Sequence, residues 1–260
     1  MKAIGIIPAR YASTRFPAKP LCNVFGKTMI QRVWEGATAA HVLERVLVAT
    51  DHECIAEVCA AFGAEVVMTA PELPSGTDRV AAAYQQHVAA CKEEYDIVVN
   101  IQGDEPLLKG SVIDRLVETL EGSKADVSTP IQRLTNPQEL VDSAIVKVVL
   151  NNNHMALYFS RSPIPCVRDV APSEEMYAEW LRRGQFWKHI GLYAYRTEAL
   201  LRFQKIPPSP LELSEQLEQL RLLQDGLLYV CVETSEHFVA IDTPEDVERV
   251  VALLRSQSRS

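Results

Sequence analysis

Residues 4–28, IGIIPARYASTRFPAKPLCNVFGKT, constrain this chain more than any other stretch. Ile4, Ile6 and Ile7 have the spacing and bulk of a short buried strand. About twenty residues then pass before the next periodic segment, and a connection that long inside a compact domain is functional or disordered. Pro8, Pro17 and Pro20 fix φ at intervals and stiffen the loop, which argues against disorder. Arg10, Arg15 and Lys19 are spread along it, with Ser13 and Thr14 between. Cations at the carboxyl end of a first strand, ahead of a helix, are placed to receive an anion. The reading favoured is a cradle for a triphosphate or a sugar acid; the plainer alternative is a solvated basic loop.

Two familiar phosphate loops are excluded. Gly26-Lys27-Thr28 looks like the tail of a P-loop, but Leu21 stands where that motif needs its first glycine. No G-x-G-x-x-G follows the strand either. A ligand here is held by side chains and a proline-stiffened backbone, not by a glycine nest.

The length of 260 residues suits one large α/β domain with a small subdomain. A net charge of −8 offers no bulk attraction to nucleic acid or an anionic membrane, so an anion must be held by a local cluster or through metal ions. The six cysteines lack C-x-x-C pairing and sit mostly in apolar patterns, as small hydrophobes of a reducing compartment do. No stretch has the length of a membrane span, and the expected location is cytoplasmic.

Beyond the loop, Thr28 and Gln31 form a capping box before a helix with Ile30, Val33, Trp34 and Ala37 on one face. A strand at Val46, Leu47 and Val48 follows. Asp51 is expected to cap a helix with Ile55, Val58, Cys59 and Phe62, ended by Gly63. Residues 65–68 read as strand, PELPSGTDR as a loop into a helix carrying Val80 and Tyr84, and 97–101 as a buried strand running into QGDEP. A helix with Ile113, Leu116, Val117 and Leu120 comes next. This rhythm predicts a parallel sheet covered on both faces, with ligands at the carboxyl ends of its strands.

The middle third changes character. Strand-like runs at 145–150, 156–159 and 190–195, with a short helix near 174–183, predict an antiparallel subdomain over about residues 130–205, a candidate for pairing two subunits. A helix through Leu213, Leu217 and Leu220 is stopped by Gly226, a strand spans 228–232, and Thr243-Pro244 opens a last helix. One domain over 1–255 and a polar tail at 256–260 complete the organisation.

Asp104, in QGDEP after the buried strand, is placed to hold Mg²⁺ against a nucleotide phosphate; a turn cap is the alternative. Asp242 precedes the last helix, where Thr243 is the more natural cap, leaving Asp242 as a second metal ligand. His189 shares alternation with Gly191 and Tyr193, as a satisfied, partly buried histidine would. The histidines lack zinc spacing, and Ser75 and Ser160 lack a G-x-S-x-G context, so zinc and serine-hydrolase chemistry are disfavoured.

Taken together, PARYASTRFPAKPL, PSGTDR, NIQGDEP, VKVVL, ALYFSRSPIP, HIGLYAYR, SPLELSEQLEQLR and AIDTPEDVERV resemble the 3-deoxy-manno-octulosonate (Kdo) cytidylyltransferases, in order from Ile4 to about Val251. The first motif belongs to the wider nucleotidyltransferase superfamily; HIGLYAYR and LEQLR are more specific. The resemblance implies a three-layer α/β/α nucleotidyltransferase fold with a mostly parallel sheet, a homodimer, and a need for Mg²⁺. The implied reaction joins CTP and Kdo into CMP-Kdo, releasing pyrophosphate, for lipopolysaccharide synthesis. It implies that Arg10 and Lys19 contact the triphosphate with Arg15 assisting, and that Ala9, Ser75, Gly76 and Thr77 line the cytosine and ribose. Asp104 and Asp242 would hold Mg²⁺; Arg79, Gln102, Arg161, His189, Tyr193, Glu215 and Gln216 would form the sugar site. The chain departs from the family pattern at Thr28, at Ser143-Ala144-Ile145 and at Cys166-Val167, none of which touches the implied metal or triphosphate residues. Alternatives are the same chemistry on 8-amino-Kdo or a sialic acid, and a non-catalytic sensor of nucleotide or sugar acid.

Overall fold

The computed structural model describes residues 1–12, 16–168 and 174–257. Its strands are β1 (Ala3–Ala9), β2 (Asn23–Val24), β3 (Lys27–Thr28), β4 (Leu43–Thr50), β5 (Glu65–Met68), β6 (Ile97–Asn100), β7 (Val127–Arg133), β8 (Lys147–Leu150), β9 (Ala156–Ser160), β10 (Trp187–His189), β11 (Tyr193–Arg196) and β12 (Tyr229–Glu233). Its helices are α1 (Met29–Thr38), α2 (Glu53–Ala61), α3 (Gly76–Cys91), α4 (Gly110–Glu121), α5 (Pro137–Val141), α6 (Glu174–Arg183), α7 (Thr197–Phe203), α8 (Pro210–Glu215), α9 (Gln219–Gln224) and α10 (Pro244–Gln257). β2 and β3 make a small hairpin; the other ten strands form one sheet in the order β5-β4-β1-β6-β11-β7-β10-β8-β9, with β12 beside β7.

β1 explains why the sheet is covered on both faces. Ile4 and Ile6 point into a core built with Val80 and Tyr84 of α3, Leu200 of α7 and Leu220 of α9. Ala3 and Ile7 point the other way, toward Ile30 of α1, Ile55 of α2 and Ile113 of α4. Period-two alternation thus serves two apolar layers, the requirement for a three-layer α/β fold. β1 runs parallel to β4 and β6, with Ile6 opposite Leu47 on one side and Asn100 on the other, and β5 is parallel to β4. The carboxyl ends of β1 and β6 therefore lie side by side.

The strands of the middle third continue the same sheet. β11 is antiparallel to β6 and β7, β10 to β7 and β8, and β8 to β9. Of the run expected at 190–195 only the part from Tyr193 is strand, in β11; β10 ends at His189, so His189 and Tyr193 belong to different strands. The helix expected through Leu213 and Leu220 divides, because Gln216 takes φ 54° and turns the chain between α8 and α9. Asp51 does not cap α2; the His52 ring accepts the Cys54 N–H instead, and Asp51 is drawn into a buried ion pair. Thr28 caps α1, its hydroxyl accepting from Gln31 N at 3.3 Å, but the other half of the expected capping box is not made: Gln31 Nε2 donates to Glu35 Oε1 at 3.0 Å instead. Among the described residues no helix is long and apolar enough to cross a membrane.

Candidate functional site

The loop after β1 turns back on itself through Ala18, in the left-handed region at φ 53°, and Pro20 in a short 3-10 turn. That reversal returns Lys19 to the end of β6. Its ammonium donates to Asp104 Oδ2 at 2.9 Å and Asp242 Oδ1 at 3.1 Å. Backbone geometry holds both aspartates: Ile241 N donates to Asp104 O at 3.0 Å, and the Asp246 carboxylate accepts from Asp242 N at 2.9 Å. Gly103 is required by the close approach of its loop to the end of β1, since a Cβ there would stand 2.8 Å from Pro8 O. Burial pulls the Lys19 ammonium down, but the charges and hydrogen bonds of Asp104 and Asp242 outweigh it and hold it above the ordinary lysine value.

Around this cluster lies a cavity of about 310 Å³, with Pro8, Ala9, Arg10, Lys19, Ser75, Gly76, Arg79, Gln102, Asp104 and Asp242 in its wall. Ser75 caps α3, its hydroxyl accepting from Asp78 N at 3.0 Å, so the positive end of that helix opens into the cavity. The expected nucleotide residues Ala9, Arg10, Lys19, Ser75 and Gly76 therefore meet in one place; Arg15 lies outside the described residues.

A second cavity, about 260 Å³, shares Gly76 and Gln102 with the first and adds Thr77, Gly191, Tyr193, Tyr195 and Gln216. A third, about 720 Å³, shares Gly191 and Tyr193 with the second and Asp242 with the first, and adds Glu105, Lys188 and His189. The three share wall residues at Gln102, Gly191 and Asp242.

Several expected sugar residues engage one another. Glu215 accepts from Ser160 Oγ at 2.6 Å and Arg161 N at 2.9 Å. Burial pushes the Glu215 carboxyl up, and these hydrogen bonds more than offset it, leaving it below the ordinary value. Arg161 donates in return to the Glu215, Gln216 and Ser143 carbonyls. Arg79 lines the first cavity, but its guanidinium pairs with Asp51 at 3.0 Å. His189 Nε2 lies 2.9 Å from Thr129 Oγ1, and the ring is tilted against Tyr193 at 5.4 Å; burial takes its pKa down to about 3, so it is neutral at pH 7.

Sequence reasoning missed Glu218, which lines both smaller cavities and accepts from Thr77 Oγ1 at 2.7 Å. Its carboxyl is raised, chiefly by burial. Glu105 was also missed: burial, helped by the adjacent Asp104 charge, pushes its carboxyl up to about 8. Nothing in the local pattern distinguished either from a surface carboxylate.

The architecture defines an α/β protein that gathers cations, a helix N-terminus and two carboxylates at the carboxyl edge of its sheet, the provisions of a nucleotidyltransferase. A sequence profile of the cytidylyltransferase family matches residues 4–240, and the chain belongs to that family. It is 46% identical to the 3-deoxy-manno-octulosonate cytidylyltransferase of Parabacteroides distasonis, over 99% of this chain and 100% of that one. The Geobacter metallireducens protein of the same name is 43% identical over 98% of each chain. Among solved structures, a CMP:2-keto-3-deoxy-manno-octonic acid synthetase complexed with CTP superposes with a TM-score of 0.87 at 36% identity, over 99% of this chain and 100% of that one. A cytidylyltransferase from Leptospira borgpetersenii, 15% identical with a TM-score of 0.59 over 100% of this chain and 96% of that one, shares the fold.

Proposed function

We propose that the chain transfers CMP from CTP to the anomeric 2-hydroxyl of Kdo, giving CMP-Kdo and pyrophosphate. The observation that carries this reading is the convergence of Asp104 and Asp242 on the Lys19 ammonium, within a cavity that also holds Arg10 and the N-terminus of α3. Relatives bearing the Kdo name over their full length support the choice of sugar.

In this reading Arg10 and Lys19 bind the triphosphate, with Arg15 assisting, and Ala9, Ser75, Gly76 and Thr77 seat the nucleoside. The sugar occupies the adjoining cavities against Gln102, His189, Tyr193 and Gln216, while Arg161 and Glu215 shape the corner around it. The hydroxyl oxygen forms a bond to the α-phosphorus, the bond to pyrophosphate breaks in line, and the hydroxyl gives up its proton. Such a transfer asks the protein for positioning and neutralisation of charge.

The donor set fits Mg²⁺. Two carboxylate oxygens already flank one cation, and Mg²⁺ is held by one or two carboxylates completed with substrate phosphates. Among the described residues no group of three or more metal-binding side chains gathers. Asp104 and Asp242 would hold the ion, which when bound neutralises phosphate charge and makes the hydroxyl more acidic.

The proposal extends to a cytoplasmic enzyme supplying activated Kdo for lipopolysaccharide, working as a homodimer paired through the antiparallel part of the sheet. Pyrophosphate release from CTP, Mg²⁺ and Kdo tests it, with a sialic acid as competitor. Release with Kdo at the higher kcat/KM supports the reading; release with neither sugar, from folded protein, rejects it.

A further inference from the structure

The loop that carries Arg10 and Lys19 is anchored from outside the cavity it serves. β1 pairs with β4 as far as Ala9 opposite Thr50, and there the backbone ladder ends. Asp51, the next residue after β4, continues the pairing with its side chain, whose Oδ1 accepts from Tyr11 N at 3.1 Å. His52 follows, and its ring stacks on the Tyr11 ring, with 3.8 Å between centroids and 14° between planes. Tyr11 is therefore held twice from the end of β4, once by its N–H and once by its ring.

The carbonyl of Tyr11 passes this hold along. It accepts from Ala18 N at 3.1 Å, so residues 11 and 18 stand side by side. Arg10 precedes the first of them and Lys19 follows the second. The two cations in the wall of the first cavity thus leave the backbone from neighbouring points, and Asp51 fixes the pair between them.

The other oxygen of Asp51 reaches a different element. Oδ2 accepts from Arg79 Nη2 at 3.0 Å, and Arg79 Nη1 donates to Thr69 Oγ1 at 2.5 Å. Arg79 belongs to the first turns of α3, the helix whose N-terminus opens into the cavity. Arg79 lines that cavity, and Asp51 stands behind it, with side chains 4% and 8% exposed. A carboxylate suits this place because its two oxygens accept at once from a main-chain N–H and from a guanidinium.

We propose that Asp51 is a positioning residue for triphosphate binding. Through Tyr11 it sets where Arg10 and Lys19 leave the backbone, and through Arg79 it sets their distance from the N-terminus of α3. This rests on the reading above in which Arg10 and Lys19 bind the triphosphate.

The test uses two double variants of the full chain, Arg79→Met with Asp51→Asn and Arg79→Met with Asp51→Leu. Each removes the ion pair from both sides, so neither strands a buried charge, and the two carry the same net charge. Only Asp51→Asn keeps an acceptor for the Tyr11 N–H. Calorimetric titration with CTP and with CMP, in Mg²⁺ and without sugar, gives the ratio of affinities that the outer phosphates supply. Wild type is expected to bind CTP about 10-fold or more tightly than CMP, the strength of one charge-assisted hydrogen bond. The Asp51→Asn chain should keep this ratio to within about twofold, and the Asp51→Leu chain should lose about fivefold or more of it. A merely structural role would make the ratio follow stability, which urea unfolding reads separately and which the apolar Leu and Met pair favours. Equal ratios in the two chains overturn the proposal, and so does an Asp51→Leu chain that selects CTP better than the Asp51→Asn chain. If wild type binds CTP no better than CMP, the triphosphate reading of Arg10 and Lys19 fails first and takes this one with it.

Discussion

Lys19 Nζ lies 2.9 Å from Asp104 Oδ2 although 85 positions separate the two residues. The contact closes the stiffened loop after β1 over the end of β6. It sets a cation among carboxylates where an incoming triphosphate and its metal would redistribute the charge.

Asp104→Asn keeps the shape of the side chain and removes its charge. Turnover is expected to fall by about 10³-fold, since charge stabilisation of this kind is worth several kcal/mol in the transition state. The variant should keep the wild-type circular dichroism, and chelating Mg²⁺ from wild type should lower turnover likewise. Near-wild-type rates in the variant would remove Asp104 from the metal site.

Gly103→Ala tests the approach of the Asp104 loop to the end of β1. The added methyl would stand 2.8 Å from Pro8 O, a backbone atom, so the Asp104 loop must move away from β1. A displacement of this order is expected to cost about 10²-fold in kcat/KM. Unchanged kinetics would show that the approach does not set the position of Asp104.

Arg79→Met leaves Asp51, 8% exposed, as an uncompensated buried charge. Breaking such a pair from one side costs about 3–5 kcal/mol, and urea unfolding would measure it. Replacing Asp51 with Leu in the same chain should restore part of the loss. The Asp51 carboxylate also accepts from Tyr11 N at 3.1 Å, so the restoration stays incomplete. A single-variant loss below 1 kcal/mol would contradict the burial assigned to the pair.

His189 sets a pH dependence. Its folded pKa is depressed by burial to about 3, against an ordinary 6.5. Between those values the unfolded chain binds a proton that the folded chain refuses, so stability falls as pH drops through that window. At pH 5 the loss is at most about 2 kcal/mol. His189→Gln should flatten the stability curve between pH 7 and 5 by that amount; an unaltered slope would show that the ring takes its proton in the folded protein.

The parallel half of the fold was legible because β1, β4 and β6 announce themselves as short apolar runs and α1 carries its cap at Thr28. Asp104 was marked out by its place after the buried run at 97–101, whereas Ala9 and Ser75 were named through the family resemblance; all three line the first cavity. What could not be read was which partner each charge would choose. Arg79 and Asp51 meet across 28 positions, and Arg161 reaches carbonyls 54 and 55 residues away, contacts no local pattern encodes. β7 escaped notice because Pro130 interrupts its propensity; in the fold Pro130 sits within the β7–β12 ladder and its carbonyl accepts from Ile190 N at 3.0 Å. The break at Gly191 was hidden by an alternation that spans the end of one strand and the start of the next.

A crystal structure with Mg²⁺ and a non-hydrolysable CTP analogue tests the central claim most directly. The account predicts the phosphates against Arg10 and Lys19, with the ion on Asp104 and Asp242. Phosphates lodged elsewhere, or either aspartate turned away from the ion, would contradict it.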